Sequence, residues 1–153
     1  MSDGTKQKAT KPPRLGAADE SSVVEAIRRA ERDNRGEVRV HLESRAPGGD
    51  ALRRAREVFE GLKMHRTKEA TGVLLYVAVD DRKAAVYAGR GIHGATAPEF
   101  WKSVTDAVAE EAREGRLGRG LVAALGLIGK VLREKVPGED RHGNELPDAV
   151  TSS

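Results

Sequence analysis

Between Glu37 and Glu43 the chain alternates without a break, with Val38, Val40 and Leu42 on one side and Glu37, Arg39, His41 and Glu43 on the other. A period of two predicts a strand with one face on a core, and four polar side chains on the second face predict an exposed edge position. Val73 to Val79 is instead a continuous apolar run, as expected of an inner strand covered on both faces. Between them, after the turn Pro47-Gly48-Gly49, Leu52, Ala55, Phe59 and Leu62 recur at spacings of three and four, which predicts a helix beginning at Asp50. Strand, helix and strand in this order predict a parallel pair joined by a crossover.

The pattern extends in both directions. Ser22 and Glu25 have the spacing of a capping box, and Val23, Ile27 and Ala30 form one apolar stripe, so a first helix is predicted from Ser22 to about Asn34, before Gly36. Asp80 to Lys83 reads as a short polar turn, after which Ala84 to Ala88 returns antiparallel as the second arm of a hairpin. Thr96 and Pro98 then look like the cap and first turn of a helix with Trp101, Val104, Val108 and Ala112 inward. A last helix runs from about Arg119 to Lys135, stopped by Pro137 and Gly138, and Ala123, Ala124, Gly126 and Gly129 suit close packing on a neighbour. The expected fold is α/β, a three-layer α/β/α sandwich with a small mixed sheet of three to four strands and about four helices.

Size and charge narrow the possible partners. The 153 residues make one domain over residues 19–137. It is flanked by a flexible basic arm, residues 1–18, and a polar tail, residues 138–153, in which Leu146 and Val150 are the apolar anchors. Lys+Arg 27 against Asp+Glu 24 gives +3. Residues 1–17 alone hold Lys6, Lys8, Lys11 and Arg14 against Asp3, which accounts for that excess, so the remainder is formally neutral and a nucleic-acid partner is not expected. The chain has no cysteine, which excludes disulfides and thiolate chemistry. His41, His65, His93 and His142 are scattered over separate segments, so no zinc site is expected. The longest apolar run, Leu121 to Leu132, is interrupted by Gly126, Gly129 and Lys130 and falls short of the roughly 20 residues needed to cross a bilayer. No membrane insertion is expected, and the chain reads as cytoplasmic.

Two places carry candidate chemistry. Asp80 and Asp81 sit in the hairpin turn, where aspartate either shapes the turn through its own side chain or, beyond the carboxyl ends of parallel strands, offers hard oxygen ligands to calcium or magnesium. Arg82 beside them is the candidate grip for phosphate. The second place is the loop Gly89, Arg90, Gly91 and His93, a candidate anion-binding loop whose glycines are expected to take left-handed backbone positions. Gly89, Gly91 and Gly94 also spell a dinucleotide-binding pattern. The strand before it is a hairpin return and the helix is expected only near Pro98, so no nucleotide is expected. A reversing strand separates turn and loop by roughly 25 Å, too far for one small ligand.

The string GVLLYVAVDDRKAAVYAGRGIHG, with GEVRVHLE and MHRTKEATG before it and PEFW after it, resembles the TPM domain family, which is linked with thylakoid lumenal acid phosphatase-like proteins. The likeness runs from about Val24 through Pro137, and NELPD at Asn144 to Asp148 is similar to the tail of a short soluble bacterial subgroup. The resemblance implies the same α/β/α sandwich, and relatives are associated with divalent metal binding and with acid phosphatase activity. Asp80, Asp81, Arg82 and Lys83 match the family's acidic turn, whereas Ala88, Gly89 and Arg90 stand where many similar sequences place an acidic residue before the glycine-isoleucine pair. Two functions follow as expectations. One is a metal-binding interaction module with a protein partner, and the other a metal-assisted phosphomonoester hydrolase.

Overall fold

The computed structural model describes residues 12–66, 69–94, 96–139 and 150–153. Helix α1 spans Ala17–Ala30, strand β1 Glu37–Glu43, helix α2 Ala51–Gly61 and strand β2 Gly72–Ala78. Strand β3 follows at Lys83–Ala88, a single helical turn α3 at Arg90–His93, helices α4 at Pro98–Arg113 and α5 at Leu117–Lys135, and a short strand β4 at Val150–Ser152. The strands lie in the order β3-β2-β1-β4. β1 runs parallel to both β2 and β4, and β2 runs antiparallel to β3. The mixed sheet therefore has the predicted parallel pair and hairpin.

The two faces of this sheet carry separate cores. On one, Val38, Val40 and Leu42 of β1 and Val73, Leu75 and Val77 of β2 pack against α1, α4 and α5. On the other, Leu74, Tyr76 and Ala78 of β2 meet Ala55, Val58 and Phe59 of α2. Each of these larger apolar side chains contributes about 1.5–3 kcal/mol on full burial, which offsets the entropy of ordering a small sheet. The three expected layers are present.

Several boundaries differ from the pattern. α1 begins five positions before Ser22, with Gly16 as its N-cap and Asp19 and Glu20 in its first turn, so the Ser22–Glu25 capping box is not used. Acidic side chains near the helix dipole's positive end suffice to start it there. Leu15, assigned to the arm, packs on the core. The arm's first eleven positions lie outside the described residues, as do Leu146 and the NELPD segment. α1 stops at Ala30 because Asn34, fully buried, turns its amide back onto the Ala30 carbonyl at 2.7 Å. α4 has Ala97, not Thr96, as its N-cap, while Thr96 donates to the Ile92 carbonyl at 2.9 Å.

β1 differs most from the pattern, which placed it at an exposed edge. It is interior, with β2 on one side and β4 on the other, and Glu37, Arg39 and His41 are buried. Alternation marked its two faces correctly, but the polar face is covered. Buried polar groups are tolerated where they find partners, and His41 finds them in the Thr151 and Ser153 hydroxyls. The polar tail contributes the covering strand, with Val150 as the anchor.

Candidate functional site

Chain direction fixes where the predicted residues go. Register pairs Ala78 with Lys83 at one end of the hairpin and Val73 with Ala88 at the other, so the acidic turn and the glycine loop lie at opposite ends of the sheet.

At the first end, the Arg82 N–H donates to the Val79 carbonyl at 3.2 Å, and Arg82 itself has φ 54. A tight turn followed by one left-handed residue is a common three-residue hairpin. Asp81 is mostly buried. Its Oδ2 accepts the Ala46 N–H at 2.9 Å and its Oδ1 lies 3.9 Å from Arg45. The side chain thus ties the hairpin to the segment leading into α2. Asp80 is exposed, and among the described residues its carboxylate has no partner. Asp50, where the second helix was predicted to begin, is the N-cap of α2 and accepts the Arg53 N–H at 3.0 Å.

Glu43 is also engaged. Arg54 grips it with two nitrogens at 2.9 and 3.0 Å, the Tyr76 hydroxyl donates at 2.7 Å, and the Ser153 hydroxyl at 2.9 Å. Burial alone would raise its pKa, but the hydrogen bonds from Arg54, Tyr76 and Ser153 together hold it below the ordinary carboxylate value. Tyr76 is pushed up, by burial first and then by its bond to Glu43. His41 stacks on Tyr76, with Nδ1 2.6 Å from the Thr151 hydroxyl and Nε2 2.8 Å from the Ser153 hydroxyl. Burial lowers its pKa, opposed by Glu43 and reinforced by Arg54, so the neutral ring is favoured. Glu43 contacts the serine and not the imidazole, so no relay aligns the hydroxyl for nucleophilic attack. The network pins β4 and α2 to the sheet.

At the second end, four N–H groups of the loop are spent within the fold. Gly89 donates to Gly72, Gly91 to Ala70, and Ile92 and His93 both to Gly89. The glycines are not left-handed, since Gly89 has φ −66. They are required by close approach, because a Cβ at Gly89 would run into the Ala70 carbonyl and one at Gly91 into the Glu69 carbonyl. α3 follows Gly89 at once, earlier than the helix expected near Pro98. Arg90 and His93 are exposed at this end.

A third feature was missed in the sequence. β3 ends the sheet, and a groove of about 330 Å³ runs along it, lined by Ala84, Val86 and Ala88 with Leu52 from α2 and Trp101 and Lys102 from α4. Leu52, expected in the helix's buried stripe, is 57% exposed and is the exposed large hydrophobic of the described residues. Among the described residues no further strand lies beneath it. Trp101 packs partly on the core, as expected, and its indole nitrogen is buried without an acceptor among the described residues. The available signal was topological, since a hairpin return leaves an open edge unless a later strand pairs with it, and β4 pairs with β1 instead.

A family model for the TPM domain matches residues 14–131. The solution structure of the BA42 protein from the psychrophilic bacterium Bizionia argentinensis is 36% identical, with a TM-score of 0.79, covering 91% of this chain and 95% of that one. The N-terminal domain of a protein from P. gingivalis, at 18% identity, has a TM-score of 0.66 over 80% of this chain and 78% of that one. The N-terminal domain of the cg2496 protein from Corynebacterium glutamicum, at 11% identity, has a TM-score of 0.61 over 78% and 74%. These last two share the fold. No curated protein matches the chain.

Proposed function

Because the chain belongs to the TPM domain family, we propose that it works as a protein-interaction module whose docking surface is the apolar groove along β3. The observation that carries this reading is Leu52, a large apolar side chain held out over the sheet's edge and facing a groove shared with Trp101. Exposed apolar surface next to a concave lining marks a binding site more often than an isolated exposed leucine does. Convergent polar groups of the kind catalysis needs are scarcer, since Glu43, Asp50 and Asp81 are each engaged by the fold.

Photo-crosslinking tests the surface directly. A photoreactive residue at position 52 should capture one discrete partner that the same residue at the exposed Gly126 does not, and the purified partner should bind Leu52→Asp about tenfold or more weakly. Equal capture at both positions, or unchanged affinity for Leu52→Asp, contradicts the reading.

A second reading is favoured by the exposed carboxylate of Asp80, unpartnered among the described residues, beside Asp81. With one oxygen of Asp81 committed to Ala46, this pair suits only a largely hydrated calcium or magnesium ion held weakly, and the described residues bring no cluster of three ligands together. An ion held by Asp80 and Asp81 would supply a Lewis acid for a phosphomonoester, with Arg82 as the neighbouring cation for its phosphate oxygens. Hydrolysis of a chromogenic phosphomonoester that needs added metal and is lost in Asp80→Asn/Asp81→Asn would establish it. Activity that survives the double change refutes it.

A further inference from the structure

The floor of the groove is a strand edge, and that selects the shape of its occupant. The Gly89 N–H donates to the Gly72 carbonyl, so in this antiparallel register Lys83, Ala85 and Tyr87 also direct both backbone groups toward β2. Ala84, Val86 and Ala88 therefore direct theirs away from the sheet. Among the described residues no strand lies beyond β3 to receive them. Exposed edges are ordinarily blunted by a charge, a proline, a bulge or a covering element, and these three positions carry no charge and no proline.

Charge then discriminates between occupants. The ionisable residues lining the groove are His93 and Lys102, the latter paired with Asp106 at 2.8 Å, while exposed Lys83, whose Nζ donates to the Gly49 carbonyl, leads into β3 and exposed Arg90 leads out. A second copy pairing β3 with β3 about a twofold axis would run antiparallel and bring the Lys83 end of each chain against the Arg90 end of the other. Such like-charge pairs oppose association. An acidic segment meets Arg90 at one end and, at the other, Arg82 and Lys83, which outnumber the exposed Asp80.

We propose that β3 is extended by a fifth strand, an extended segment of a partner protein with small apolar residues in its middle and carboxylates at its ends. This deepens the reading of the groove as a docking surface and rests on it. Backbone hydrogen bonds to Ala84, Val86 and Ala88 supply the affinity common to strand addition, and Leu52 on one face and Trp101 on the other select the alternating side chains.

The test uses the full chain, labelled for NMR, and capped heptapeptides of alternating valine and threonine with glutamate at both ends. Saturable shift changes and slowed hydrogen exchange are expected at the Ala84, Val86 and Ala88 amides. Binding should weaken about tenfold when the peptide nitrogens facing β3 are methylated, and also when lysine replaces the terminal glutamates. Ala84→Pro, which removes one outward N–H and leaves the pairing with β2 intact, should weaken it similarly, since proline is tolerated at an edge position facing solvent. No change at these amides at millimolar peptide, or equal binding by the methylated peptide, overturns the proposal. Shifts at Leu52 and Trp101 with those three amides still exchanging fast would overturn strand addition while leaving the groove as a docking surface. Dimerisation of the peptide-free chain with the three amides protected would assign the edge to a second copy, and so overturn the partner strand.

Discussion

Asp81 accepts the Ala46 N–H in a mostly buried setting, whereas Asp80 next to it faces solvent. Removing the first carboxylate leaves a buried donor unsatisfied, so Asp81→Ala should cost about 1–3 kcal/mol in chemical denaturation, while Asp80→Ala should stay within about 0.5 kcal/mol. Equal losses would mean that the turn does not work as described. The hairpin-shaping role was legible from aspartate's turn preference, but its unequal division was not, because it depends on which carboxylate meets a residue far away in sequence.

The Glu43 network sets a pH dependence. His41 has a native pKa below 6.5, chiefly through burial, so the unfolded chain takes up its proton first and stability falls as pH drops below 6.5. Glu43 is held below 4.5 by Arg54, Tyr76 and Ser153 against the opposing effect of burial, so its contribution is present above 4.5 and is lost as pH falls through its native value. Both act in the same direction. Denaturation of the wild type should therefore show declining stability from pH 6.5 to pH 4.5, and His41→Gln should flatten that interval. An unchanged slope in the variant would remove His41 from the account.

Among the elements, α5 shows how far composition can be read. Gly126 and Gly129 look equivalent in sequence. In the fold, a Cβ at Gly129 would stand 2.8 Å from the Ala30 Cα of α1, whereas one at Gly126 meets nothing within 4 Å. Gly129→Ala should accordingly lose about 1–3 kcal/mol by forcing α1 and α5 apart. Gly126→Ala should gain about 0.5–1 kcal/mol from helix propensity, and thermal denaturation of the two separates them. Periodicity located α1, α2, α4 and α5 and strands β1, β2 and β3, but neither α3 nor β4. It could not show that β1 was interior, since a paired, buried polar face and a solvated one have the same alternation. The stripe of α2 was likewise legible except at Leu52, where the sheet ends beneath the helix.

For the whole molecule, chain direction is the feature that organises function. The antiparallel return of β3 parks the acidic turn and the glycine loop at opposite ends, as the order of turns and strands predicted. The same return leaves β3 at the sheet's edge, a consequence that emerges only once β4 is seen to close the other side. Three-layer architecture was thus legible from pattern, while the groove needed the positions of α2 and α4 over that edge. Docking along β3 requires that its outer edge be open. Amide hydrogen exchange along β3 in the isolated chain measures this residue by residue. Slow exchange at Ala85 and Tyr87 alternating with fast exchange at Ala84, Val86 and Ala88 is the predicted result, and uniform protection across all five would contradict it.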